Sequence, residues 1–396
     1  MAERAREAWI TGVGIVSCLG EGPDAHWQAL MTQEPRADTI SFAPFIVHPI
    51  APINFDKQIP KRGDQRQMEP WQRIGTYAAG LALESAGVKG NTEVLAGMDM
   101  IVAAGGGERD TAVDCAILSG LPKAAAPDAF LNERLMNDLR PTLFLAQLSN
   151  LLAGNISIVH GVIGSSRTFM GEEAAGVDAV RIALSRILAG QSEIVLVGGA
   201  HNGERKDQLM IYEFAGLNLK ERLAPVWERR AQPGFALGSL GAFLLIESRC
   251  HAERRGAKPV ARLTSVLSDR HHRQPGTIAD SLRGLWAKLT PGLRRDQAAV
   301  ISGATGTEPA TGEERAFLAE HAGLAVRATG THLGHGFEPQ FAMNVALAAL
   351  AVSRGSLFPP CGTTAFEQPM AEPLRQVVVT GVGHWRGEGV ALVEAV

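Results

Sequence analysis

The 396-residue chain is predicted to be an α/β protein of two similar halves, stacked as a five-layered αβαβα sandwich. Three observations predict this. Short apolar strands alternate with helical stretches along most of the chain, a pattern that implies mostly parallel sheets with helices on their faces. Two helices, 173–189 and 338–353, are alanine-rich and apolar on most sides, and they fall at similar points in the two halves. Helices of that kind are buried between layers. A pentapeptide near the start, Ile10-Thr11-Gly12-Val13-Gly14, is echoed near the end by Val379-Thr380-Gly381-Val382-Gly383, which points to duplication.

Trp9–Val16 is the first strand, with Gly12 and Gly14 allowing close packing. Pro23–Leu30 is a short helix. Residues 33–68 hold prolines and mixed charge and are expected to form a surface excursion. Trp71–Ala86 is amphipathic, with Ile74, Tyr77, Ala78 and Leu81 on one face. Asp99–Ala104 is a buried strand ending in three glycines, and helices including Phe144–Leu152 follow. Ile156–Val159 is short, apolar and β-prone, so it is expected to be a strand. Gly161, Gly164 and Gly171 break the chain before the buried helix, which ends at Gly190, a natural C′ residue. Glu193–Val197 is a strand, and Gly198-Gly199 let another backbone approach. Asn202–Arg230 is expected to be irregular, with Glu204-Arg205-Lys206-Asp207 as a solvated loop. Phe243–Glu247 is a strand. His251–Lys258 is a charged hinge, which divides the chain into halves at 1–250 and 251–396. In the second half Val260–Val266, Ala298–Ser302, Gln376–Thr380 and Val390–Val393 are strands, and Thr277–Leu289 is a helix.

Net charge is −3, which gives no electrostatic grip on nucleic acid. No apolar run is as long as a membrane span, roughly 20 residues. The charged stretch at the start leads directly into a strand, with no signal peptide. A cytoplasmic location is expected. Cys18, Cys115, Cys250 and Cys361 are scattered singly, as reduced thiols are, and form neither a disulfide framework nor a metal pattern.

A strand, a glycine turn and the N-terminus of a buried helix is a place where an enzyme can hold a nucleophile, because free N–H groups and the helix dipole stabilise an anion there. Here the first turn carries Glu172 and Glu173, with no serine or cysteine. These two are weighed first as acidic residues that favour a first helical turn, and second as an acid/base pair or as residues that close the site. Arg167 is expected to form a salt bridge with one of them. His332, His335 and Glu173 lack ligand spacing, so no metal site is predicted.

Taken in order, ITGVGIVSCLG (10–20), GFALGSLGAFLLIES (234–248), SGATGTEPATGEE (302–314), TGTHLGHGFEPQFAMNVALAAL (329–350) and VVVTGVGHWRGEGVALVEAV (377–396) resemble the β-ketoacyl-acyl-carrier-protein synthases over nearly the whole chain. That resemblance implies a thiolase-like fold of duplicated βαβαβαββ halves. It implies no cofactor and no metal. It places the family's catalytic cysteine at Glu173, within MGEEAAG (170–176). The first active-site histidine falls on Gly303 and the family's lysine on Gly330. The second histidine is kept as His335. A chain of this kind resembles the chain-length factors of type II polyketide systems. Its wording around 164–183 is also similar to synthase-like proteins of very-long-chain fatty-acid synthesis in alpha-proteobacteria.

Condensation needs a thiolate to hold the acyl group as a thioester. Donors must then stabilise the enolate formed as malonyl loses carbon dioxide. The resemblance therefore implies a non-condensing subunit that pairs with an active ketosynthase, shapes the acyl tunnel and meets an acyl carrier protein. Two alternatives stand beside it. One is an active 3-oxoacyl synthase or malonyl decarboxylase using Glu173 and His335, and the other is a homodimeric acyl-binding protein. The strand before the nucleophile, about 159–170, pairs across the dimer in this fold, so Val162 and Ile163 are expected at an interface. The segment after Gly107 is where the family sets tunnel depth, which points to Ala112 and Ala116.

Overall fold

The computed structural model describes residues 6–370 and 373–396, so most of the charged lead-in at the start lies outside the described residues. The first half supplies strands β1 (Ala8–Ser17), β2 (Asp99–Ala103), β3 (Ser166–Phe169), β4 (Ile194–His201) and β5 (Leu240–Ser248). The second supplies β6 (Ala261–Asp269), β7 (Ala298–Ser302), β8 (Ala325–Ala328), β9 (Gln376–Val382) and β10 (Glu388–Glu394). The helices that matter for the site and its surroundings are α1 (Gly22–Thr32), α2 (Pro70–Ser85), α3 (Thr111–Gly120), α4 (Leu151–His160), α5 (Glu172–Leu188), α6 (Lys206–Phe214), α7 (Thr277–Leu289), α8 (Ala310–Ala319) and α9 (Gln340–Arg354).

The strand order is β8-β7-β9-β10-β6-β1-β5-β4-β2-β3. Read outward from the centre, each half has the same order and the same directions. β1 corresponds to β6, β5 to β10, β4 to β9, β2 to β7 and β3 to β8. In each half two junctions are antiparallel and two are parallel, so the sheets are mixed rather than mostly parallel. The cause is visible at β9 and β10. Only residues 383–387 join them, too few for a parallel crossover. The halves join where Trp9 and Ile10 pair with Arg262 and Ala261.

Three hydrophobic cores define five layers. α2 and α4 pack on the outer face of the first sheet, through residues such as Tyr77, Ala82 and Ile156. α5 and α9 fill the middle, through Val177, Val180, Phe341 and Val345. α7 and α8 cover the outer face of the second sheet, through Leu282, Trp286 and Phe317. Outer and central interfaces both need small residues. A Cβ on Gly14 would lie 2.0 Å from the Ala78 carbonyl oxygen of the outer helix α2, and in the central layer one on Gly176 would lie 2.2 Å from the Glu338 carbonyl oxygen.

Several expectations are corrected. Ile156–Val159 lies in α4, not in a strand. Leu152, Ala153, Ile156 and His160 recur at helical spacing on the buried face, and Gly161 ends the helix at φ 77°. The strand before α5 is therefore only Ser166–Phe169. The pentapeptide echo does not mark equivalent strands, because β1 corresponds to β6 whereas the second copy lies in β9, whose counterpart is β4. The segment 204–207 is no solvated loop. Arg205 and Asp207 are buried, form an ion pair at 2.5 Å and open α6, and Arg205 also donates to the Gly107 carbonyl at 2.9 Å.

Five histidines are buried outside the cluster described below: His26, His48, His160, His201 and His332. Burial is the leading cause that lowers each, to about 3 for His48 and about 4 for the others. Between pH 6.5 and about 4 the unfolded chain binds more protons than the folded one, so stability falls as pH falls through that window. Once the pH is below its folded value, each such histidine contributes a loss of about 3 kcal/mol, and His48 about 5 kcal/mol. Urea unfolding at stepped pH is expected to show loss beginning near pH 6.5, with a shallower slope in His26→Gln.

Candidate active site

The β3–α5 turn holds Gly171 at φ 131° and Glu172 at φ 59°, a left-handed conformation that is costly for a residue with a Cβ. That turn aims the next side chain inward. Glu173 is 5% exposed at the N-terminus of α5. Its Oε1 accepts a hydrogen bond from His335 Nε2 at 2.7 Å and another from His384 Nδ1 at 2.8 Å. The backbone N–H of His384 also donates to it, at 3.3 Å. Glu173 Oε2 is buried without a partner.

Both histidines come from the second half. His335 follows Gly334, whose φ is 67°, and its backbone is pinned by bonds to Ala236 and Gly238. His384 sits in the tight β9–β10 turn. Phe337, at φ 53°, brings Glu338 to the same place. Phe235, Phe337 and Tyr212 wall the cluster, with Phe337 4.3 Å from the His335 ring and Tyr212 5.8 Å from the His384 ring. Aromatic walls keep the local dielectric low and make each charge there count more.

The electrostatics follow from these contacts. Burial disfavours charge on Glu173, but the charge of His384 and the hydrogen bonds from both histidines outweigh it and hold the carboxyl far below the usual range. Burial also opposes charge on His384, yet Glu173 and Glu172 raise it. Glu172 is raised, chiefly by burial. Glu338 is pushed up to about 7, chiefly by burial, with repulsion from Glu173 and Glu172 adding to it. The arrangement is a carboxylate neutralised by imidazole, not an activated nucleophile.

The other expected positions are filled or bare. Gly303 donates its N–H to the Thr380 carbonyl, and a Cβ there would lie 2.8 Å from that oxygen and 3.4 Å from Asn344 Nδ2. A histidine has no room. Gly330 is equally tight against the Ala304 carbonyl oxygen, at 2.9 Å. Arg167 makes no ion pair with Glu172 or Glu173 and lies exposed on β3; the glutamates face His384 instead. No cysteine substitutes for the missing one. Burial pushes the Cys18 thiol up to about 12, and Cys115 and Cys250 lie on the surface. Val162 is buried in its own outer core and presents no interface, whereas Ile163 is 66% exposed. Ala112 and Ala116 are exposed on α3. His332 is buried but stays out of the cluster; its place is taken by His384, which the sequence reading missed. A histidine inside GVGHWRGEG, where a tight turn otherwise favours glycine, was the available signal.

The cluster opens through Glu172 and His384 onto a cleft of about 1010 Å³, with Arg273, Trp385 and Arg386 in its wall. A second cavity, of about 190 Å³, lies beside Glu172 and is lined by His201, Asn202, Gln208, Tyr212 and Glu338.

A buried helix N-terminus at the centre of a duplicated five-layer sandwich, with a histidine from the second half aimed at its first turn, defines the ketosynthase class of fold and site. The family model for the beta-ketoacyl synthase N-terminal domain matches residues 5–251, and the chain belongs to that family. Among curated relatives, the 3-oxoacyl-[acyl-carrier-protein] synthase 2 of Vibrio cholerae is 23% identical over 67% of this chain, and that of Rhizobium meliloti is 24% identical over 65%. The chain spans 64% and 63% of the lengths of these two relatives. Among solved structures, the ishigamide ketosynthase/chain length factor superposes with TM-score 0.79 at 19% identity, covering 99% of this chain and 100% of that one. A ketosynthase of a type II polyketide system, solved in complex with its acyl-carrier protein, gives 0.77 at 16% with the same coverage. No helix among the described residues is long and apolar enough to cross a membrane.

His384→Leu removes one of the two imidazoles and leaves a buried carboxylate under-compensated. It is expected to cost about 3–5 kcal/mol in urea unfolding at pH 7. Glu172→Gln, whose nearest imidazole contact is 3.9 Å, is expected to cost under about 1 kcal/mol.

Proposed function

We propose that this chain is the non-condensing half of a ketosynthase pair, shaping a shared acyl tunnel while its partner forms the carbon–carbon bond. The observation that carries the reading is Glu173. It stands where a nucleophile is needed, and its carboxylate is consumed by two histidines. Acyl transfer to it would produce a mixed anhydride, not a thioester. The decarboxylase alternative needs free donors for an enolate oxygen. His335 Nε2 is engaged by Glu173, and Gly303 offers no side chain. The cavity beside Glu172 has room for about six waters and is lined by polar groups, which suits no long acyl chain.

Pairing has its own support. The ishigamide complex joins a ketosynthase to a chain length factor. Among the described residues strand β3 pairs only with β2, so one edge of the first sheet is open. More than half of the exposed large apolar side chains among the described residues fall between residues 118 and 170 in sequence, and of these Ile158 lies on α4, which contacts β3, while Ile163 and Met170 lie on the segments flanking β3. Exposed apolar side chains beside an unpaired edge favour association. α3, with Ala112 and Ala116, stands near it in sequence, and those two residues are assigned to the tunnel wall in the pair. Arg270, Arg273 and Arg386 on the cleft rim fit an acidic acyl carrier. The domain division at residue 250 is retained as part of this proposal.

Two experiments test the reading. Malonyl-loaded acyl carrier protein incubated with this protein alone is expected to keep its mass. Adding a cysteine-bearing synthase that is poorly active by itself is expected to give elongated acyl carrier. Acetyl carrier or elongation from this chain alone would establish the enzymatic alternative instead. Separately, Ile163→Arg is expected to convert the sedimenting dimer, with itself or with the synthase, to monomer. A dimer that persists would remove this surface from the interface.

A further inference from the structure

We propose that Glu173, His335 and His384 form a binding site for a first-row divalent cation of the zinc type. The donor atoms are Glu173 Oε1, His335 Nε2 and His384 Nδ1, and all lie within 4.8 Å of one another. They come from three separate places in the chain: the first turn of α5, the segment before α9 and the β9–β10 turn. None is a solvated surface group. Glu173 and His335 are 5% and 2% exposed, and the His384 side chain is 4% exposed.

Two further observations point to a cation rather than to hydrogen bonding alone. Glu173 Oε2 is buried with no partner, so half of the carboxylate is unsatisfied in a site that otherwise pairs its polar atoms. Glu172 and Glu173 also both face His384, and among the described residues neither carboxylate has a lysine or arginine within ion-pair distance. A divalent ion satisfies both conditions at once.

Two imidazoles and a carboxylate select zinc, iron, cobalt or nickel over magnesium and calcium, which prefer oxygen alone. Three protein ligands leave a coordination position open. Glu172 lies 3.9 Å from His384 Nε2, across the ring from the ligating Nδ1, so it is not a fourth ligand, and the cleft it lines gives a hydrated ion its route in. The ring nitrogens now lie 2.7 and 2.8 Å from Oε1. Tetrahedral bonds of about 2.0–2.1 Å need these separated by roughly half an ångström more. A small rotation of the Glu173 side chain, which also brings Oε2 toward the ion, provides it. The ion's role is a clamp that ties α5 of the first half to the β9–β10 turn and the α9 entrance of the second. This holds whether or not the chain condenses acyl groups, so its test is independent of the one above.

The test is isothermal titration of chelator-stripped full-length protein with zinc chloride, alongside cobalt chloride monitored by visible absorption. One zinc per chain, a higher unfolding temperature and the intense visible bands of tetrahedral cobalt are expected. Glu173→Gln keeps side-chain size and His384→Asn keeps a polar group near the Nδ1 position, and each is expected to weaken zinc binding at least 100-fold. His272→Ala, an exposed histidine on the cleft rim, is expected to change nothing. Absence of stoichiometric uptake by the wild-type protein overturns the proposal. So does uptake that survives in both site variants, or that is lost in His272→Ala.

Discussion

The carboxylate of Glu173 accepts hydrogen bonds from two imidazoles that belong to the opposite half of the chain, and much of the central layer is arranged around that contact. Its geometry requires left-handed backbone at Glu172 and Phe337, a glycine at 334, and a turn between β9 and β10 short enough to hold His384 over the end of α5. It also requires the close approach of α5 to the chain at Glu338, which Gly176 allows. Strained residues persist only where surrounding packing fixes them. Here the fixing comes from the two apolar helices, α5 and α9, pressed between two sheets. The same packing that makes the sandwich stable therefore holds an electrostatically awkward cluster at its middle.

How the two halves meet explains why no single half could build this site. Each has its own outer helices and its own outer core, which would suffice for a layered unit. The inner core is shared. The first half contributes the acid at a helix N-terminus, and the second contributes both bases. Separating the halves would expose Glu173 and remove both of its imidazole partners. The duplication is thus a functional constraint as well as a topological one.

The layers and most strands were legible in the sequence because their signals are local. β1, β2, β5, β7 and the two central helices each carry an unbroken apolar pattern of the right length. The errors have physical causes as well. Ile156–Val159 satisfies strand propensity, and only the longer window from Leu151 reveals the helical period. The pentapeptide echo reflects a need shared by β1 and β9, a strand lying close against a helix, not equivalent positions. Glu173 and His335 were found by position along the chain. His384 was not, since its partnership with Glu173 spans more than two hundred residues and depends on a hairpin turn that no spacing rule predicts. Arg167 adjoins Glu172 and Glu173 in sequence, but on β3 it lies exposed and makes no ion pair with them. Charge clusters are usually solvated, whereas the Arg205–Asp207 pair satisfies itself and Arg205 donates to the Gly106 and Gly107 carbonyls.

The replacements at this site depend on one another. A carboxylate at position 173 is tolerable only with imidazoles at 335 and 384. Those imidazoles are then unavailable to a substrate oxyanion. Position 303 has no space for a histidine, because Thr380 and Asn344 close over it. A thiol placed at 173 alone would leave both histidines without their carboxylate and would add no donor at 303. On the proposed non-condensing reading, the helix N-terminus that could activate a nucleophile instead receives a buried carboxylate held by two imidazoles of the opposite half.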